Sequence, residues 1–351
     1  MTYNNETLKL YREYKGLSQK KFADFLGISQ TVISKIEKGL RPLDEDIVNN
    51  LSSFVNKKFF LQKIENLNLK IYYRQSSSTA KSTTDLFESR LTLIANHISH
   101  FLEEIEAPEN KIPSIDLNDF GLNPEALALE IRQLFGLGIS PIDDIVELLE
   151  SKGVFVHFFD YPFVTPENKT LDGVSFYIKG SPVILINNKI QNARKVFTLA
   201  HELGHLIMHL NFIVESNRDE EAEANKFASE FIAPKRALNG EFSRLTLEKL
   251  FMLKAYWKMS VGALLYKAKQ IALTPDQYRR WVTQLSAYRK NEPHDIDLSI
   301  PRNLKKCFTF FRDTLHAGDN ESLFDELGID KKIFDDLYST FTEKRKLRII
   351  Y

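Results

Sequence analysis

Residues 195–210 read KVFTLAHELGHLIMHL and contain the pentapeptide HELGH. This stretch limits the fold more than any other. Two histidines four residues apart on a helix point their imidazoles the same way, so His201 and His205 can both ligate one tetrahedral zinc ion. The glutamate that follows the first histidine, Glu202, then reaches a water held at the same place. At 100° per residue, Leu199, Leu203, Leu206, Ile207 and Leu210 form one stripe and the two histidines fall opposite it. The segment is expected to be a helix that packs one face and offers the other to a metal. His209 also falls on the cleft side, where it either assists the chemistry or makes a structural hydrogen bond.

A zinc that keeps one position open for water needs a third protein ligand. The candidate segment is RDEEAEANKFASEFIAP at 218–234. Its apolar stripe runs through Ala224, Phe227, Ala228 and Phe231, and helical projection puts Glu220 and Glu221 on that side but Glu223 off it. Glu221 is the preferred ligand. Asn225, one turn later on the same side, is placed to hydrogen-bond a ligand from behind. Asp219 and Glu223 read as a solvated first turn favoured by the helix dipole. Upstream, the pattern gives helices over 124–137 and 141–153, then strands in VFVHFFD, GVSFYIKG and SPVILINN. The last two form a hairpin around Lys179, Gly180 and Ser181, and the sheet should floor a cleft.

TLAHELGHLIMH followed by EEAEANKFASEFIAP resembles the ImmA/IrrE metallopeptidase family. In that family the glutamate four residues before the asparagine of the ANxFA stretch is the third ligand, which implies Glu221 here and not Glu220. DGVSFYIKGSPVILINN resembles the family's strands, while EFIAP departs from its usual leucine-rich helix ending. The resemblance implies a zincin-like (gluzincin) α+β metallopeptidase domain, assigned to residues 120–240, with zinc as cofactor. Glu202 would take a proton from water and pass it to the leaving amine. The group that stabilises the oxyanion stays open, with Tyr177 and His209 as candidates by type only.

The first sixty residues carry a different pattern. Leu8, Leu10 and Tyr11 recur at helical spacing before Gly16. Ser18 then caps SQKKFADFLG, and Ser29 caps SQTVISKIEKG. Two short capped helices across a glycine-bearing turn read as helix-turn-helix, in which the second helix presents polar residues to the major groove. Gln30, Thr31 and Lys35 are the residues so presented. LSQKKFADFLGISQTVISKIEKGLRP resembles the XRE, or lambda-repressor-like, family. That likeness implies backbone contact from Gln19 and base contact from Gln30 and Thr31, while Ser34 leaves the sequence preference open. Residues 1–60 hold ten Lys/Arg against seven Asp/Glu, a small surplus that favours phosphate contact. A helical bundle serving only protein contacts is the alternative use of the same fold.

Residues 1–74 are thus assigned to a DNA-binding domain and 75–119 to a linker with an amphipathic helix. QSSSTAKSTT at 75–84 lacks apolar periodicity and reads as a flexible connection. In the next segment Phe87, Leu91, Ile94, Ile98, Phe101 and Ile105 alternate by four and three, as in a coiled-coil seam. The seam either pairs with a second copy to give a homodimer or docks on its own chain. His97 and His100 on this helix read as solvated. Residues 241–351 form a helical C-terminal region, with Ser260 as a cap, Trp257 and Trp281 as core aromatics, and no legible role from 295 onward. The fold class expected for the whole is mostly helical α+β.

Composition adds exclusions. Hydrophobic residues at 43% and charged residues at 27% suit folded cores and not a disordered chain. A formal net charge of 0 gives no global field towards nucleic acid, so affinity must be local. One cysteine, Cys307, excludes an internal disulfide. No signal-like run opens the chain and no stretch of about 18 apolar residues occurs, so a cytoplasmic location without membrane contact is expected. Double-stranded DNA and a protein substrate, a repressor among the candidates, are the expected partners. The functional expectation is a DNA-binding regulator with a zinc endopeptidase domain; the alternative is a non-catalytic regulator whose zinc domain senses a ligand or partner.

Overall fold

The computed structural model describes residues 2–64, 81–160, 172–288 and 292–341. Four helices open it: α1 (Asn5–Tyr14), α2 (Gln19–Leu26), α3 (Gln30–Glu37) and α4 (Glu45–Leu51). The side chains of Asn4 and Ser18 accept the backbone N–H groups of Glu6 and Lys21, and Gly27 ends α2 at φ 68°, a left-handed conformation that glycine takes at no cost. Ser29 stands at the N-cap of α3, but its side chain makes no capping bond, so only the first of the two expected serine caps is formed. Leu8, Tyr11, Phe22, Ile33, Ile36, Val48 and Leu51 are buried together with Phe59 and Phe60.

Helix α5 (Lys81–Glu104) begins inside the stretch expected to be linker; residues 75–80 of that stretch lie outside the described residues. Its seam residues Phe87, Leu91, Ile94, Ile98 and Phe101 are each 5% exposed or less. They are covered by this same chain, since α5 packs on α1 and on elements described below. The second-copy alternative therefore loses its surface. His97, expected in solvent, is buried, whereas His100 is partly exposed beside Glu326. Periodicity identifies an apolar face, but only tertiary structure says what covers it and whether a neighbouring turn is covered too.

Next come α6 (Pro124–Leu134), α7 (Ile145–Ser151) and three strands, β1 (Phe155–Phe159), β2 (Gly173–Ile178) and β3 (Ser181–Asn187). The strand order is β1-β3-β2, with β1 parallel and β2 antiparallel to β3. Lys179 at φ 47° and Gly180 at φ 82° make the hairpin turn, as the twist of a two-residue connection requires. After the sheet follow α8 (Asn192–Met208), α9 (Glu220–Ile232), α10 (Lys235–Leu238), α11 (Leu247–Trp257), α12 (Val261–Ile271) and α13 (Pro275–Leu285). The chain ends with α14 (Asn303–Leu315), α15 (Asn320–Glu326) and α16 (Lys331–Leu337).

The sheet is a partition between two cores. Val156, Phe158, Ile184 and Ile186 face a core built with α6 to α9, α11 and α12. Phe155, Phe159, Val174, Phe176, Val183 and Leu185 face a second core shared by the N-terminal helices, α5 and α14 to α16. Strand residues alternate between faces, so one short sheet can wall both. Residues 303–341, which carried no role in the sequence, close this second core. They also grip the N-terminal bundle: Asp336 accepts from Tyr14 Oη and pairs with Arg90, each at 2.7 Å, and Asp325 pairs with Lys58 at 2.7 Å. Among the described residues no helix is long and apolar enough to cross a membrane.

Candidate metal centre

Helix α8 crosses β2 and β3, and its register on β2 follows from two repeat lengths. Two strand residues advance about 6.6–6.8 Å and four helical residues about 6.0 Å, so alternate strand positions keep step with every fourth helix position. Gly173, Ser175 and Tyr177 accordingly meet Thr198, Glu202 and Leu206. A Cβ on Gly173 would lie 2.6 Å from Thr198 Cγ2 and 2.9 Å from Ile186 Cδ1, so the strand approaches this closely only because that side chain is absent. Ser175 Oγ donates to Glu202 Oε2 at 2.7 Å. Tyr177 Oη donates to the Leu206 carbonyl at 3.3 Å.

The glycine within HELGH has a similar use. A Cβ on Gly204 would come 3.1 Å from Phe227 Cδ1, so its absence lets α9 lie against α8. Asp219 caps α9 by accepting from the Ala222 N–H. At the other end, buried Arg132 donates to the Phe231 carbonyl, and buried Lys267 donates to the Ala233 carbonyl and Glu230. Cations at a helix C-terminus suit its dipole, and here they fix the helix that carries Glu221.

With both helices placed, three donor atoms converge. His201 Nε2 lies 3.0 Å from His205 Nε2, and the Glu221 oxygens lie 3.6 Å and 3.5 Å from these two nitrogens. A tetrahedral zinc with bonds of about 2.0–2.1 Å keeps its ligand atoms about 3.3 Å apart, and these separations, measured from His201 to Glu221 Oε2 and from His205 to Glu221 Oε1, lie near that value. Two imidazoles and a carboxylate also form a donor set that zinc accepts. The three side chains can therefore hold a metal ion. His205 is 1% exposed and Glu221 36%, so the triangle is walled on the α8 side and open beyond Glu221.

Burial pushes Glu202 up to about 7, against the opposing effects of His205 and the Ser175 hydrogen bond. Burial, reinforced by neighbouring His205, pushes the His201 imidazole down to about 4, which keeps it neutral and able to ligate at neutral pH.

A second layer lies behind the triangle. His201 Nδ1 is 3.2 Å from Asn225 Oδ1. His205 Nδ1 is 2.9 Å from His209 Nδ1, and His209 Nε2 is 3.0 Å from Glu223 Oε2. Arg218 donates to both oxygens of Glu223, at 2.9 Å and 2.7 Å. Glu223 is thus held by two partners, with its side chain 13% exposed, and does not belong to a solvated first turn. Burial raises its pKa, but the bonds from Arg218 and His209 outweigh this and hold it below the usual carboxylate range. Helical projection of α9 missed this because the covering groups come from the end of α8 and the connecting loop. Ser175 and Arg218 also escaped the sequence reading. The strand alternation of GVSFYI held a signal for Ser175, since it shares a face with Gly173. Tyr177 and His209, named for the oxyanion, are engaged with α8 backbone and His205 respectively.

At the other end of the molecule, Gln30, Thr31 and Lys35 are exposed on α3. Gln19 is half-buried and donates to Glu37 Oε2 at 2.8 Å, and Glu37 also receives Arg12 in a buried pair.

Two family models match the chain. Residues 8–60 match the one described as helix-turn-helix, and residues 149–269 match a peptidase family model described as IrrE N-terminal-like domain. The second match spans the sheet, α8 and α9, and so includes the whole donor triangle. A comparison with curated proteins found no match. The chain therefore joins an XRE-type helix-turn-helix, a DNA-binding regulator's module, to an IrrE/ImmA-like domain of metallopeptidase type.

Proposed function

We propose that this protein is a DNA-binding transcriptional regulator whose second domain is a zinc-dependent endopeptidase, cutting an intracellular regulatory protein such as a repressor in the cytoplasm. The observation that carries the reading is the triangle of His201, His205 and Glu221 with a buried carboxylate, Glu202, on the helix turn between the two histidines. A purely structural metal site has no need of that second carboxylate.

In this reading His201, His205 and Glu221 hold zinc. Zinc there supplies Lewis acidity, which lowers the pKa of a water towards about 7 and polarises the scissile carbonyl. Glu202 accepts the proton of the attacking water and returns it to the leaving amine. Ser175 holds one oxygen of Glu202, which leaves the other oriented for the proton, and Asn225 steadies His201 from behind. On α3, Gln30, Thr31 and Lys35 face the DNA major groove, with Gln19 near the backbone.

The test compares newly formed protein N-termini in host cells expressing the wild type or Glu202→Gln. A cut seen only with the wild type establishes the peptidase and names its substrate. Identical profiles, with both proteins folded, zinc-loaded and DNA-bound, would favour a non-catalytic sensor.

A further inference from the structure

We propose that His209, Glu223 and Arg218 form a positioning chain that fixes the ring and tautomer of His205. The inference rests on reading His201, His205 and Glu221 as the metal ligands. Its force lies in the proton count along the chain. His205 presents Nε2 to the triangle, so as a neutral ligand it carries its proton on Nδ1, which faces His209 Nδ1 at 2.9 Å. A neutral His209 must then accept at Nδ1 and carry its own proton on Nε2, which faces Glu223 Oε2 at 3.0 Å. Glu223 can only accept, and Arg218 can only donate to it.

Every donor in this order meets an acceptor. In the reverse order His209 would turn a bare nitrogen towards a carboxylate and its N–H towards the N–H of His205. The carboxylate at the far end therefore sets the direction of the whole chain. Outer partners of ligating histidines commonly fix tautomer and ring orientation in this way.

Burial supports the assignment. His209 is fully enclosed, and the side chains of Glu223 and Arg218 are only 13% and 8% exposed. A charge pair withdrawn from water on this scale costs free energy unless its bonds are complete. The chain also joins the end of α8, the loop before α9 and the first turn of α9, two residues beyond Glu221. The two ligating histidines are thus held unequally: His201 by a neutral amide at 3.2 Å, His205 by an anion-terminated relay. Glu223 and His209 are not among the converging donors and are linked to them through His205, so in this proposal they act through His205.

The test uses full-length protein labelled with 15N-histidine and loaded with one equivalent of Zn(II). Long-range proton–nitrogen spectra should show His205 protonated at Nδ1 with a metal-shifted Nε2, and His209 protonated at Nε2. Competition against a chelator should show zinc affinity falling about ten- to a hundredfold in Glu223→Leu. Glu223→Gln retains an acceptor for His209 and should recover part of that loss. If the Leu variant does not fold, the Gln variant and the wild-type tautomers still decide. His209 protonated at Nδ1 in the zinc-loaded wild type would overturn the chain, as would wild-type affinity in a folded Glu223→Leu. Neither readout uses cleavage. A protein with these tautomers and no proteolysis would sink the peptidase reading alone, whereas zinc that shifts neither His201 nor His205 would remove both.

Discussion

On the α8 side of the sheet, His201, His205 and His209 lie in line along one helix, each with a ring nitrogen on a named partner and two of them converging on a carboxylate. On the far side, His97 and His157 are also buried, at 3% and 1% exposed, but among the described residues no acid pairs with them. His97 Nδ1 meets Tyr338 Oη at 2.8 Å and its Nε2 has no hydrogen-bond partner among the described residues, while His157 Nε2 donates to the Leu337 carbonyl at 2.9 Å. Burial is common to both groups, so burial does not make a metal site. What separates them is convergence: ring nitrogens pointed at one place, with their other faces already satisfied. The first group is arranged to hold a cation, and the second to stay neutral within an aromatic core around Phe101, Phe308 and Tyr338.

The sharpest way to break this comparison is to remove a convergent nitrogen. His205→Ala should lower zinc affinity by more than about a hundredfold, beyond what outer partners contribute, as read by chelator competition. His157→Gln, on the other side, should leave zinc affinity unchanged while keeping a donor for the Leu337 carbonyl. Equal losses in the two variants would erase the distinction.

Acid should separate the two groups next. Burial pushes His97 down to about 3 and His157 down to about 4, so the unfolded chain binds these protons more readily than the folded one. Their contribution to stability is therefore complete above about pH 6.5 and is lost as pH falls towards those values, up to about 3 kcal/mol for His157 and about 5 kcal/mol for His97. Denaturant melts in chelator from pH 7 to 4 should show this fall, and His157→Gln should make it shallower. Equal slopes in the wild type and variant would contradict the assignment of His157.

A smaller effect is expected from Gly173→Ala. The added methyl meets Thr198 and Ile186 side chains, and overpacking of this sort costs about 1–3 kcal/mol in a denaturant melt. Because Ser175 is next on the same strand face, cleavage should fall while zinc affinity holds. Lys35→Ala should change neither, and should weaken DNA binding with a reduced salt slope.

What the sequence made legible follows the same division. HELGH and the acidic start of α9 are local patterns: 3.6-residue periodicity aims His201 and His205 to one side and leaves Glu220 and Glu221 as candidates, between which the family resemblance implies Glu221. The hairpin turn at Lys179 and Gly180 and the cap of Ser18 are equally local. The destination of α5 was not legible, because a seam of apolar residues names a buried face and not its partner. Nor was Glu223, whose bonds come from Arg218 in the connecting loop and His209 fourteen residues away. The segment 303–341 shows no ligand pattern at all; its role emerges only when Leu337 and Asp336 meet β1 and α1.

The most direct measurement of the central claim is the zinc K-edge absorption spectrum of the full-length protein carrying one equivalent of zinc. The account predicts two imidazole nitrogens and further oxygen ligands at about 2.0–2.1 Å, unchanged in Glu202→Gln. A sulfur ligand, or a third imidazole recruited from His209, would contradict it.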